Sequence, residues 1–289
     1  MSDRFVDPVQ SVEPQEAASN DRTPLLMVRE LCKQFGGLRA CNNFDIVLYP
    51  QDLNGLIGPN GAGKTTVFNM ITGVYVPTAG QIIFDEQNIT GLAPHEINQL
   101  GIARTFQNIR LFPNLTVLDN VRIAFHTHAG YSLLDGILHN DRFTKKEREL
   151  TERTQEFLGV FGLEDRQGEI AMNLPYGEQR RLEIARALAA EPKLLLLDEP
   201  AAGMNPRETV ELMDLIHFIH DSFNLTMLLI EHQMRVVMGI CQQITVMDFG
   251  EVIAVGTPKE IQENTRVIEA YLGPGAAALS EKFRRRRAQ

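Results

Sequence analysis

The stretch GPNGAGKTT, residues Gly58 to Thr66, follows the apolar pair Leu56 and Ile57 and leads into a helix-compatible run, Thr66 to Thr72, that Gly73 closes. Strand, glycine-rich loop and helix in that order satisfy G-x-x-x-x-G-K-[ST], with Gly58, Gly63, Lys64 and Thr65 in register. Across Pro59, Asn60, Gly61 and Ala62 the glycines let successive backbone N–H groups turn inward on phosphate oxygens, and the positive end of the next helix adds to the attraction. Lys64 is placed to reach β and γ phosphates, Thr65 to offer its hydroxyl to Mg²⁺, and Thr66 to lie near the α phosphate. The competing reading is a glycine-rich turn with an exposed lysine.

Downstream, LLLLDEP, Leu194 to Pro200, is a continuous apolar run that needs no polar side, as a strand covered by helices on both faces requires. It ends in two carboxylates at the edge where α/β sheets bind ligands. Asp198 is positioned to hold Mg²⁺ through water. Glu199, on the other side of the strand end, is positioned to orient or deprotonate an attacking water. Acids decorating a helix N-terminus are the plainer alternative.

Alternation continues around these two elements. Phe44, Ile46 and Leu48 read as a half-exposed antiparallel strand. From about 108 to 176 the pattern turns helical: Thr144 with Glu147 fits a helix cap, and Leu150, Phe157, Leu158 and Phe161 share a face. Beyond come a helix over 178–190, strand 193–198, helix 206–221, strand 225–230, helix 233–240 and strands near 244–248 and 251–255. The expected class is α/β, with a parallel-sheet core, an N-terminal antiparallel part and an inserted helical lobe at about 108–190. Residues 1–23 read as a flexible extension, 24–273 as the folded domain and 274–289 as a basic tail.

The chain has 289 residues, 44% hydrophobic and 22% charged, which excludes a wholly disordered chain or a continuous coiled coil. Asp and Glu total 37 against 28 Lys and Arg, and four of the latter are Arg284 to Arg287, so the body is acidic and general nucleic-acid binding is disfavoured. No apolar run approaches the ~20 residues of a membrane span, and the first residues carry no secretory signal, so residence in the cytosol is expected. Cys32, Cys41 and Cys241 form no C-x-x-C pair and suit a reducing compartment. His126 with His128, and His217 with His220, have metal-compatible spacing but no completing set of ligands. The arginine run is a solvated tail or a dock for anionic lipid heads, at about 1 kcal/mol per basic residue.

NLPYGEQRRLEIARAL, Asn173 to Leu188, stands between the two phosphate elements. Leu182, Ala185, Leu188 and Ala189 make an inward stripe, leaving the helix start at Tyr176 and Gly177 as an anion site. With this third motif in order, residues of roughly 25 to 272 resemble the nucleotide-binding subunit of ATP-binding cassette (ABC) transporters. The resemblance implies a P-loop ATPase with a RecA-like core that binds ATP and Mg²⁺. It implies that Phe35 in KQFGG stacks on adenine, although a lone aromatic there is also an ordinary turn residue. It implies that Gln107 in RTFQN contacts Mg²⁺ or attacking water, and that His232 in LLIEH bonds the γ phosphate. Leu174, Pro175, Tyr176, Gly177, Glu178 and Gln179 match the family's signature, which closes the phosphate site of a facing subunit.

Two positions depart from the usual family. Pro175 stands where serine is common and cannot donate a hydroxyl hydrogen bond. Asn205 in AAGMN stands where an aspartate is common. Together with RTFQNIRLFPNLTVLDNV, DEPAAGMNP and the tail GTPKEIQENTRVIEAYLG, these features resemble one branch, the ATP-binding subunit of branched-chain amino acid importers, with urea and lipopolysaccharide relatives beside it. The implied partners are a second homologous ATP-binding subunit or a second copy, two transmembrane permease subunits, and indirectly an external substrate-binding protein. The implied place is the cytoplasmic face of the membrane. A soluble ABC ATPase of the non-transport kind would carry two cassettes, a long coiled coil or a zinc site, and a P-loop GTPase would carry N-K-x-D; the sequence has none of these.

Overall fold

A computed structural model describes residues 22–125 and 141–273. The basic tail, His126, His128 and nearly all of the N-terminal extension lie outside the described residues. Strands β1 (Leu26–Phe35), β2 (Leu38–Leu48), β4 (Ala79–Phe84) and β5 (Gln87–Asn88) form an antiparallel sheet in the order β2-β1-β4-β5. In β2 Phe44, Ile46 and Leu48 face inward while Asp45 stays exposed, the alternation that one covered face demands.

The second sheet is built from β3 (Leu53–Ile57), β6 (Ile102–Arg104), β7 (Leu194–Asp198), β8 (Thr226–Ile230), β9 (Gln243–Asp248) and β10 (Glu251–Gly256), in the order β10-β9-β3-β8-β7-β6. All neighbours are parallel except β10, which returns antiparallel to β9. Strand β7 explains why a pure leucine run is needed. Leu194 and Leu196 enter the apolar cluster shared with the antiparallel sheet, while Leu195 and Leu197 enter the cluster shared with the helices. Neither face meets water, so polar side chains have no place there.

Helix α1 (Lys64–Ile71) leaves β3 through the glycine loop, and α2 (Pro94–Gln99) precedes β6. Between β6 and β7 the described elements are helical: α3 (Val117–Phe125), α4 (Asp141–Val160), two short 3₁₀ turns and α5 (Tyr176–Leu188), with one isolated Thr116–Ile170 bridge. Leu158 and Phe161 are buried, with Leu150 and Phe157 packed against them, and the Phe157 ring lies 5.3 Å from both Phe125 and Phe161. Thr144 is no cap, because α4 already includes Asp141. Helix α5 begins at Tyr176, two residues before the expected start, since Pro175 supplies a helix-compatible φ of −53° at its N-cap.

After β7 come α6 (Pro206–Phe223), α7 (Met234–Ile240), α8 (Pro258–Glu263) and α9 (Thr265–Leu272). Asn205 caps α6: its side chain accepts from the Arg207 and Glu208 amides, and the Glu208 carboxylate accepts from the Asn205 amide. Replacing Asn205 by Ala should cost about 1 kcal/mol. Thermal denaturation should show a midpoint lowered by roughly 2–4 °C; an unchanged midpoint would deny the cap its part in stability.

Candidate phosphate and nucleotide site

Strands β3, β8 and β7 lie side by side and parallel, so their carboxyl ends deliver three segments to one edge: the glycine loop, His232 and the Asp198–Glu199 pair. The loop is dictated by space. At Gly58 (φ 151) an added Cβ would lie 2.0 Å from the Met247 carbonyl oxygen, and at Gly63 (φ 102) 2.4 Å from that of Ala40. Only glycine satisfies both the backbone angle and the contact. Ala62 is buried, its amide bonded to Pro59 O at 3.2 Å, whereas Asn60, Gly61 and Thr65 are exposed and Thr66 is half-buried.

Lys64 is only 5% exposed, and its ammonium donates to the carbonyls of Gly58 (2.7 Å) and Pro59 (2.9 Å). Burial lowers its pKa, opposed by the negative charges of Glu199 and Asp198. Asp198 is buried and its Oδ2 accepts from Arg104 Nη2 at 2.6 Å, both side chains being nearly inaccessible. The same guanidinium reaches Asn69 Oδ1 at 2.7 Å on α1.

Glu199 adopts a left-handed conformation, φ 47, uncommon for a residue with a Cβ. Its amide donates to Ile230 O on β8 at 2.8 Å, which fixes the turn. Its carboxylate joins two other segments: Oε2 accepts from Gln107 Nε2 at 2.7 Å, and Oε1 lies 2.5 Å from His232 Nε2. Asp198 and Glu199 thus take separate partners, Arg104 for the first and Gln107 with His232 for the second, and the left-handed turn at Glu199 rather than strand alternation sets its direction. Phe35, at the end of β1, is 41% exposed and meets Tyr75 edge to face at 5.2 Å, with Lys33 Nζ 5.1 Å from its ring centroid.

The start of α5 carries no side-chain cap. Leu174 is buried and offers only its backbone; Tyr176 is exposed; Glu178 pairs with Arg166 at 3.4 Å; Gln179 folds back onto Leu174 O at 2.8 Å. Gly177 is half-buried just inside the helix. Of the two histidines on α6, His220 has a structural use, since its ring bonds Asp221 and Gln51 O at 2.9 Å each, while His217 is exposed. Among the described residues no group of three or more His, Cys, Asp or Glu is arranged to hold a metal.

Three participants escaped the reading of the sequence: Arg104, Tyr75 and Glu231. Glu231 is 1% exposed, and its carboxylate accepts from the amides of Ala201 (2.8 Å), His232 (3.0 Å) and Gln233 (3.2 Å). It ties the chain after Glu199 to the segment of His232. Burial pushes its carboxyl pKa up. Only Arg104 left a local signal, as a charge on a short strand next to Gln107.

A family model described as ABC transporter matches residues 41–202, more than half of the chain. The chain belongs to the ABC transporter family. A second model, branched-chain amino acid ATP-binding cassette transporter, matches residues 251–274 of this ABC ATPase. The high-affinity branched-chain amino acid transport ATP-binding protein LivG of Escherichia coli (strain K12) is 48% identical over 250 residues, 86% of this chain and 98% of that protein. The lipopolysaccharide export system ATP-binding protein LptB of the same organism is more distant, 34% identical over 248 residues, 86% and 97% of the two chains. The crystal structure of the ADP conformation of MJ1267, an ATP-binding cassette of an ABC transporter, aligns with a TM-score of 0.75 at 30% identity, covering 87% of this chain and 99% of that one.

The chain is accordingly an ATPase coupled to transport, with the α/β cassette fold. Cassettes of this family bind ATP and ADP and work as dimers with membrane components. No helix among the described residues is long and apolar enough to cross a membrane. Lys64→Ala should weaken ATP binding about 10- to 100-fold, the value of lost charge-assisted hydrogen bonds; undiminished affinity by isothermal titration would contradict the cradle. Phe35→Ala should weaken it roughly fivefold, the low end for aromatic stacking, and equal affinity would assign the ring to packing against Tyr75 alone.

Proposed function

We propose that this chain is the ATP-hydrolysing subunit of a branched-chain amino acid importer, working at the cytoplasmic face of the membrane. The observation that carries the chemistry is the Glu199 carboxylate, held between Gln107 and His232 at the edge that also bears the glycine loop. The cargo rests on the 48% identity to LivG along nearly the whole of that protein. Leucine, isoleucine and valine are recognised by other subunits, since the site here is built for phosphate. Urea import and lipopolysaccharide export are the neighbouring readings, the second at lower identity.

In this reading the amides from Gly58 to Thr66 wrap the phosphates, and Lys64 transfers its hydrogen bonds from the Gly58 and Pro59 carbonyls to phosphate oxygens. The Thr65 hydroxyl, Gln107 and, through water, Asp198 would hold Mg²⁺, whose preference for oxygen donors, few protein ligands and retained water their chemistry fits. Bound there, Mg²⁺ would neutralise charge on the β and γ phosphates. Glu199 orients the attacking water and accepts its proton, Gln107 holds Glu199 from one side, and His232 leaves Glu199 for the γ phosphate. Phe35 stacks on adenine.

The mate's ATP meets the start of α5. Pro175 contributes no hydroxyl, so the contact falls to the Gly177 amide, the helix dipole and the groups around them. The mate is a second homologous cassette or a second copy. Two permease subunits receive the motion, with a substrate-binding protein outside.

In the assembled membrane complex, Glu199→Gln should retain ATP binding, lower turnover 10²- to 10⁴-fold and hold the cassettes closed. Unchanged turnover would remove Glu199 from the chemistry. Uptake of labelled leucine, with urea as the comparison, tests the cargo; urea uptake without leucine uptake would move the chain to the neighbouring branch.

A further inference from the structure

Arg180 and Glu183, one turn inside α5, form the most deeply buried ion pair among the described residues, with side-chain exposures of 0% and 1% and a separation of 2.6 Å. Nearly everything else they touch is the backbone around Gln107. Arg180 Nη1 donates to Phe106 O at 2.7 Å, and Nη2 donates to Gln107 O at 2.8 Å and to the Tyr176 hydroxyl at 3.3 Å. Glu183 Oε1 accepts from the Arg110 amide at 3.0 Å and from the Phe106 amide at 3.4 Å. Arg180 Nε is buried without a hydrogen-bond partner among the described residues. A buried pair of this kind is weak support for stability, because well-packed apolar residues of similar volume often serve as well or better. What it supplies here is direction, since a planar guanidinium fixes two carbonyls at once while the carboxylate fixes two amides of the same loop.

The loop so held is the one whose Gln107 side chain reaches Glu199, and the helix that holds it is the one whose first residues are Tyr176 and Gly177. We propose that the Arg180–Glu183 pair is a positioning device that makes the Gln107 loop and the start of α5 move as one body. Nucleotide gripped at Tyr176 and Gly177, on behalf of the facing subunit, then sets how Gln107 approaches Glu199 in this chain. Each ATP site thereby reports to the other through four backbone hydrogen bonds. This rests on the proposed function, in which the start of α5 closes the facing subunit's site.

The test uses the assembled complex carrying Arg180→Met with Glu183→Leu, an apolar replacement chosen to keep the core filled, checked by its melting temperature. Wild-type ATPase should rise sigmoidally with ATP, with a Hill coefficient between 1 and about 2, the number of sites. In the double variant the coefficient should fall to about 1, kcat should drop on the order of 10- to 100-fold through misplacement of Gln107, and half-saturation should barely move. Spin labels at exposed Asn108 and Asn173 should keep one separation with and without ATP in the wild type and lose that constancy in the variant. A folded variant as sigmoidal and as fast as wild type, or wild-type labels that separate when ATP binds, would overturn the inference. Failure of the underlying reading looks different: wild type itself would show no sigmoidicity, and Glu199→Gln would not hold the cassettes closed. Should the double variant not fold, Arg180→Lys, which keeps the charge and loses the two-carbonyl grip, should give the same fall in Hill coefficient; a wild-type coefficient there would contradict the proposal.

Discussion

The Glu199 carboxylate is shared between a glutamine from the entrance to the helical lobe and a histidine that follows the next strand, and the backbone beneath it is left-handed. At that three-way junction the edge of the parallel sheet meets the entrance to the inserted helices. Strand β8 sits between β3 and β7, so the loop after β3 and the acids after β7 open on the same edge with His232 between them. The two-sided apolar burial of β7 and β8 keeps this register, because a slip by one residue would exchange the two cores.

Around the junction, charge is handled by pairing. Asp198 is matched by Arg104, Arg180 by Glu183, and Glu231 by three backbone amides, while Lys64 bonds to carbonyls of its own loop. Three of these groups, Arg104, Glu231 and Arg180, also fasten segments that belong to different elements. Arg104 joins β6 to β7 and to α1, Glu231 joins the chain after Glu199 to the segment of His232, and Arg180 joins α5 to the loop of Gln107. The apolar core fixes where the elements lie, and the buried charges fix how the functional segments are held against one another.

Much of this is legible in the sequence because it is written in local chemistry. Only glycine fits at Gly58 and Gly63, a leucine run with two acids after it has one comfortable place in an α/β sheet, and the stripe through Leu182, Ala185 and Leu188 marks the inner face of α5. What was not legible depends on contacts between residues far apart in the chain. Arg104 and Asp198 are separated by 94 positions and meet only because β6 pairs with β7. Glu231 reads as an ordinary acid beside His232 until the Ala201 amide comes to it. Asn205 stood out as a departure from the family pattern, and its local use as a helix cap follows from hydrogen bonds within four residues. Thr144 misled for the opposite reason: a capping pattern carries no information when the helix has already begun.

In the proposed function one triphosphate is held jointly by the glycine loop of one subunit and the start of α5 of its mate. The most direct measurement is the cryo-EM structure of the assembled complex carrying Glu199→Gln, with ATP and Mg²⁺. The γ-phosphate density should be touched by Lys64 of one cassette and by the Gly177 amide of the facing one. Nucleotide bound in the loop with α5 of the mate turned away from it, in a closed particle, would contradict the claim.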